Sequence, residues 1–235
     1  MPTEVAPGIH RLGNELVNFY LVEDGEERML VDAGLRGFLG QVEGLRIGAV
    51  LLTHAHGDHV GIAEPIRSRG ATVYVHEGDA EMARTAKYPA RERGLRPYLR
   101  YGTAWALLWM AVRNGAVSNV KIAEVTPFGD DAVLDLPGSP RVVPTPGHSE
   151  GQVCFHFPDR GALIVGDALC TRNPLTGRTG PQLMPGAFSI SSPRAMASLE
   201  RIEELRAGAL LVGHGDPWTG GVDTAVARAR EAGFS

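Results

Sequence analysis

The chain has 235 residues, 43% apolar and 21% charged, with 23 Lys and Arg against 27 Asp and Glu for a net charge of −4. That composition excludes a disordered chain and a globally basic nucleic-acid binder, and the length suffices for a core without covalent staples. Two cysteines, Cys154 and Cys170, exclude a disulfide framework or a thiolate zinc cluster, so any metal falls to the eight histidines and the carboxylates.

Short apolar runs ended by Gly, Pro or a charge predict strands over 16–22, 28–31, 49–52 and 72–75, with helices over 60–69 and 77–87. Further strands are expected over 132–136, 141–143, 152–157 and 162–165, followed by a helix over 193–206, a strand over 209–212 and a helix over 222–231. Two strand-rich halves, each closed by helices, predict a layered α/β sandwich rather than one doubly wound sheet. No repeat or low-complexity linker divides 1–235, which is expected to form a single domain. With no charged-then-apolar leader and no apolar run near the roughly 20 residues of a membrane span, a cytoplasmic protein without a membrane partner is expected.

The stretch 77–119 breaks this rhythm and is expected to be a helical insertion. Tyr98, Tyr101, Trp105, Leu108, Trp109 and Val112 fall at helical spacing, a stripe that either packs on the domain or faces a ligand as a lid. Arg84, Lys87, Arg91, Arg93, Arg96 and Arg100 against Glu92 alone give 84–100 a net +5, a solvated face or an anion-attracting rim.

The strongest chemical signal is Thr53-His54-Ala55-His56-Gly57-Asp58-His59, directly after the apolar run 49–52. A strand end followed by a tight Gly-containing loop aims several side chains at one point. Imidazoles and a carboxylate suit zinc, with manganese, iron or cobalt as alternatives. Ligands so close in sequence do not all reach one ion, so more donors are expected at other strand ends. His148 after 141–143, Asp167 after 162–165 and His214 after 209–212 each sit in a small-residue turn of that kind. His10, His76 and His156 carry weaker signals, and both cysteines read as buried thiols.

From Val31-Asp32-Ala33-Gly34 through 54–59, His148 and Asp167 to His214, the chain resembles the metallo-β-lactamase superfamily of metallohydrolases. The resemblance implies an αββα sandwich with a dinuclear site on one edge. It further implies that His54, His56 and His148 hold one metal, that Asp58, His59 and His214 hold the other, and that Asp167 bridges them. Asp32 resembles the early aspartate that braces the ligand loop. Two Zn²⁺ are expected, with iron or manganese as alternatives. A hydroxide shared by two metals is a nucleophile at neutral pH, which implies hydrolysis of an ester-like bond (lactone, thioester or carboxylic ester), with Asp58 and Asp167 as catalytic residues.

Departures from known branches narrow the expectation. Only 21 residues follow His214, so the glutathione-binding domain of glyoxalase II enzymes is not expected. Cys170 stands where acyl-homoserine lactonases carry a tyrosine, and the basic stretch 84–100 lacks the character of an RNA-binding arm. A mononuclear iron persulfide dioxygenase, a β-lactamase-like activity and a phosphodiesterase are the alternatives. Tyr98, Tyr101, Trp105, Trp109, Met184 and Phe188 are the expected walls of an apolar acyl pocket, with Arg172 or Arg178 meeting a substrate carboxylate. A small-molecule substrate and a homodimer are the expected partners; nucleic acid is not.

Overall fold

Residues 2–113 and 120–234 are described by the computed structural model of the chain. Its first half lays seven strands side by side in chain order: β1 (Thr3–Ala6), β2 (Ile9–Gly13), β3 (Asn18–Asp24), β4 (Glu27–Val31), β5 (Ala49–Leu51), β6 (Thr72–His76) and β7 (Thr126–Phe128). β1 to β4 run antiparallel, whereas β4 to β7 are parallel. The parallel part needs crossovers, and these carry α1 (Ala63–Arg67), α2 (Ala80–Thr85) and α3 (Gly102–Arg113).

The second half forms β8 (Arg141–Pro144), β9 (Val153–Phe157) and β10 (Ala162–Gly166), antiparallel in turn, then a separate ribbon of β11 (Cys170–Arg172) and β12 (Thr179–Gln182). After α4 (Ser192–Ser198) and α5 (Glu200–Glu203), β13 (Ala209–Val212) adds parallel to β10, and α6 (Val222–Ala232) follows.

Period-two alternation decides the layers. Tyr20 and Val22 of β3 face Phe155, Phe157, Ile164 and Leu211 of the second sheet. Their neighbours Phe19 and Leu21 pack with Leu52, Ala63, Ile66 and Met82 on the opposite face. In β10, Ala162 and Ile164 point to the inter-sheet core while Leu163 and Val165 meet Leu199, Ile202, Val226 and Ala229. The result is helix, sheet, sheet, helix, the expected αββα sandwich.

Several elements depart from expectation. The run 132–136 contributes only an isolated bridge at Val133–Arg141, since Pro137 and Pro140 lack ladder donors. The helix expected over 60–69 starts late because Gly61 and Ile62 donate to Gly34 and Ala33 instead of to a preceding turn. The helix expected over 193–206 divides at Leu199, where Leu199 and Ile202 donate to carbonyls three residues back. The expected insertion is helical only in part: α2 belongs to the core layer through Met82 and Ala83, and 86–95 has no regular element. Its end, 114–119, lies outside the described residues. Among the described residues no helix is long and apolar enough to cross a membrane.

Candidate metal centre

The loops after β4, β5, β8, β10 and β13 meet at one edge of the sandwich, and their side chains form a single cluster. His148 Nε2 lies 2.7 Å from His56 Nδ1 and 3.2 Å from His54 Nε2. Asp167 Oδ2 lies 3.3 Å from His148 Nε2, 4.0 Å from His54 Nε2 and 3.2 Å from His214 Nε2. Asp167 Oδ1 faces His59 Nε2 at 3.4 Å, and Asp58 Oδ2 faces His214 Nε2 at 3.4 Å. All seven expected donors are thus brought together, with Asp167 between the other two groups: His54, His56 and His148 on one side, Asp58, His59 and His214 on the other.

Each imidazole is aimed by what holds its other side. His59 Nδ1 lies 2.8 Å from Asp32 Oδ2, and His214 Nδ1 donates to the Leu16 carbonyl at 2.5 Å, so both offer Nε2 to the cluster. His54 and His148 likewise place Nδ1 near Thr53 Oγ1 (3.0 Å) and Ser189 Oγ (3.3 Å). His56 is the exception and turns Nδ1 inward. Asp32 also accepts from the Thr53 amide at 2.8 Å, and it does so from a left-handed backbone with φ 60. Gly213 has no alternative residue: a Cβ there would collide with Asp167 Oδ1 and the His59 ring.

Burial sharpens the electrostatics. Burial, then the neighbouring imidazoles His59 and His148, hold His54 well below the ordinary histidine range, and burial with His56 lowers His148 to about 3. For His59 burial acts downward too, but Asp167, Asp32 and Asp58 outweigh it and lift the group to about 9. Burial opposes ionisation of Asp58 and Asp167, yet the surrounding imidazoles hold both well below the usual carboxylate range. His59 Nε2, His214 Nε2 and Asp167 Oδ1 are buried without a hydrogen-bond partner. Orphaned polar atoms packed this closely, on N and O ligand types, fit divalent cations.

The cluster opens through His56, Gly57 and Asp58 into a cavity of about 340 Å³. Leu16, Val17 and Leu35 form one wall and Leu175, Met184, Phe188 and Ile190 another. Tyr88, Arg91, Leu95, Tyr98, Leu99, Leu107 and Leu108 form the roof.

Tyr98, Met184 and Phe188 therefore line the cavity, but five expected pocket residues do not. Trp105 and Trp109 are 56% and 60% exposed, because α3 turns Ala104, Leu107 and Leu108 inward and Trp105 Nε1 donates to the Leu99 carbonyl outside. Tyr101 packs against the Tyr98–Leu175 cluster instead. Arg172 projects outward from β11, and Arg178 reaches the Ala232 carbonyl at the end of α6.

Three features were missed in the sequence. Asp79, buried at the start of α2, accepts from Ala55 N (2.9 Å), Ser149 Oγ (2.7 Å) and Gly151 N (2.7 Å), so it ties the 54–59 loop to the loop of His148. The only available signal was an acid just past the end of β6, on the same sheet edge. Tyr88 stands beside His56 with ring centroids 5.8 Å apart. A Gly-x-Ser-x-Gly string occurs at 147–151, but Ser149 is fully buried and committed to Asp79, so it is no exposed nucleophile. The weaker histidines are occupied: His10 by Glu23, His76 by Asp130 and Gly78 N, and His156 by the Arg206 carbonyl.

The model of the metallo-beta-lactamase superfamily matches residues 12–214. The probable metallo-hydrolase YflN of Bacillus subtilis (strain 168) is 28% identical, over 92% of this chain and 87% of its own. The atrochrysone carboxyl ACP thioesterase AgnL7 of Paecilomyces divaricatus is 26% identical over 64% of this chain and 38% of its own. Among solved structures, TTHA1623 in a di-iron-bound form is 30% identical, covering 89% of this chain and 92% of its own with a TM-score of 0.57.

Proposed function

We propose that this chain, which belongs to the metallo-β-lactamase superfamily, is a metal-dependent hydrolase that cleaves an ester-like bond (lactone, thioester or carboxylic ester) of a small molecule. The observation that carries the reading is a cluster of seven N and O donors, five of which (His56, Asp58, His148, Asp167 and His214) line a largely apolar cavity. The thioesterase AgnL7 among the relatives supports the same bond class. His54, His56 and His148 would hold one cation and Asp58, His59 and His214 the other, with Asp167 shared. Zinc suits these ligands, and the di-iron form of TTHA1623 supports iron as the alternative.

When bound, divalent cations supply Lewis acidity and lower the pKa of water towards about 7. The chain's own residues do the rest. Asp58, its carboxyl held well below the usual range by the surrounding imidazoles, is the more open of the two acids in the cluster, its side chain 34% exposed against 2% for Asp167. It takes the proton of the attacking water and returns it to the leaving oxygen or sulfur. Leu107, Leu175 and Met184 enclose the acyl portion and displace water from around the scissile bond.

The test is a substrate panel on the zinc-loaded and iron-loaded full chain, with metal content measured in parallel. Esters, thioesters or lactones should turn over faster than β-lactams or phosphodiesters, with two metals per chain. Asp167→Ala should retain the fold and lose at least about 100-fold in kcat, on the scale of losing a major electrostatic group. Preferred cleavage of a β-lactam or phosphodiester, or one iron per chain with oxygen uptake, would overturn the reading.

A further inference from the structure

We infer that the cavity selects substrates carrying an anionic group as well as an apolar body, and that Arg91 is the residue that binds the anion. The inference deepens the hydrolase reading and rests on it for the reacting bond.

Among the described residues lining the cavity, Arg91 is the one Lys or Arg. The lining carboxylates, Asp58 and Asp167, both belong to the donor cluster and are engaged there. The Arg91 guanidinium lies over the Phe188 ring, 5.6 Å from its centroid, and no carboxylate approaches it within 4.0 Å among the described residues. Its acidic neighbour Glu92 is turned away, with Oε2 accepting from the Ser192 amide at 2.6 Å. The positive charge at this point of the roof is therefore uncompensated.

Its position is also fixed. Glu92 N donates to the Ser189 carbonyl at 2.8 Å and Arg93 N to the Gly186 carbonyl at 3.1 Å, so the backbone immediately after Arg91 is tied to 186–192. Ser189 in that segment is the residue whose Oγ lies 3.3 Å from His148 Nδ1. The cation thus stands in a wall continuous with the candidate metal centre. A guanidinium laid on an aromatic face keeps its planar edge free, and that edge matches a carboxylate, sulfonate or phosphate by two parallel hydrogen bonds. A substrate with such a group would meet Arg91 while its hydrocarbon lies against Leu107, Leu175 and Met184.

The experiment compares octane-1-sulfonate with octan-1-ol by calorimetric titration of the zinc-loaded full chain, sulfonate being a weak metal ligand. The sulfonate should bind about tenfold more tightly, the scale of one charge-assisted hydrogen-bonded pair. Arg91→Gln should abolish that preference. Arg100→Gln should keep it, because Arg100 stacks on Tyr101 away from the cavity. A second readout uses nitrophenyl esters of octanoic acid and of octanedioic acid: Arg91→Gln should shift the ratio of their KM values about tenfold against the acid ester. No preference in the wild type, a preference that survives Arg91→Gln, or equal loss in Arg100→Gln would overturn the inference. If no ester, thioester or lactone is cleaved the hydrolase reading fails, while the titration still decides the role of Arg91.

Discussion

Four of the five imidazoles in the cluster are aimed by a second group, and the residues that hold the donor-bearing loops are where single substitutions are most informative. Asp79 accepts three hydrogen bonds from two donor-bearing loops. In Asp79→Asn an amide NH₂ would face at least one of those donors and push the loops apart. The expected result is metal affinity lower by about 10- to 100-fold with a folded chain, read by competition with a chelator. The protonation of the cluster makes a further prediction for the metal-free protein. His148 is lowered to about 3, so its contribution to stability is present above the unfolded value near 6.5 and is lost as pH falls towards 3. His59 is raised to about 9, so its contribution is present below about 6.5 and is lost as pH rises through 9. Urea midpoints of the chelated protein should accordingly fall on both sides of neutrality, and His148→Asn should flatten the acid limb.

Among the elements, α3 shows how a sound periodicity is assigned to the wrong side. Helical spacing groups Trp105, Leu108, Trp109 and Val112 on an exposed face, of which Leu108 at its border still reaches the cavity; the adjacent face, with Ala104 and Leu107, covers it. Periodicity identifies a stripe but not the body it meets. Here the body is the loop at Leu175, whose carbonyl accepts from Thr103 Oγ1 and so sets the helix's rotation. Leu107→Ala should raise KM for octanoyl esters about fivefold through lost apolar contact. Trp105→Ala should leave it unchanged and alter stability by no more than about 1 kcal/mol, as checked by steady-state kinetics and urea melts. The short strands β7, β11 and β12 were missed for a related reason. They hold three or four residues each, include Pro127 and Pro181, and are defined by their partners rather than by a run of their own.

For the molecule as a whole, the candidate metal centre spans the two sheets. His54 to His59 come from the first half, and His148, Asp167 and His214 from the second. A ligand that binds only the folded arrangement stabilises it by mass action, by about 2.7 kcal/mol when present at 100 times its Kd. For a chain of this size each kcal/mol moves Tm by about 2–4 °C. Chelation should therefore lower Tm by at least about 5 °C in calorimetry, and re-addition of zinc should restore it. An unchanged Tm would mean that these donors do not hold a cation in solution.

The identities of the seven clustered residues, their order and the layered fold were legible in the sequence, because all three depend on local chemistry. Period-two runs mark the strands, and a histidine or aspartate in a small-residue turn marks a strand end. The walls of the cavity were not legible, because they depend on contacts between distant parts of the chain. Glu92 binds Ser192 across 100 residues, Thr103 binds Leu175 across 72, and Asp79 binds Ser149 across 70. Such contacts exist only once both sheets have packed. It was this packing that turned Arg172 and Arg178 outward and left Arg91 at the cavity.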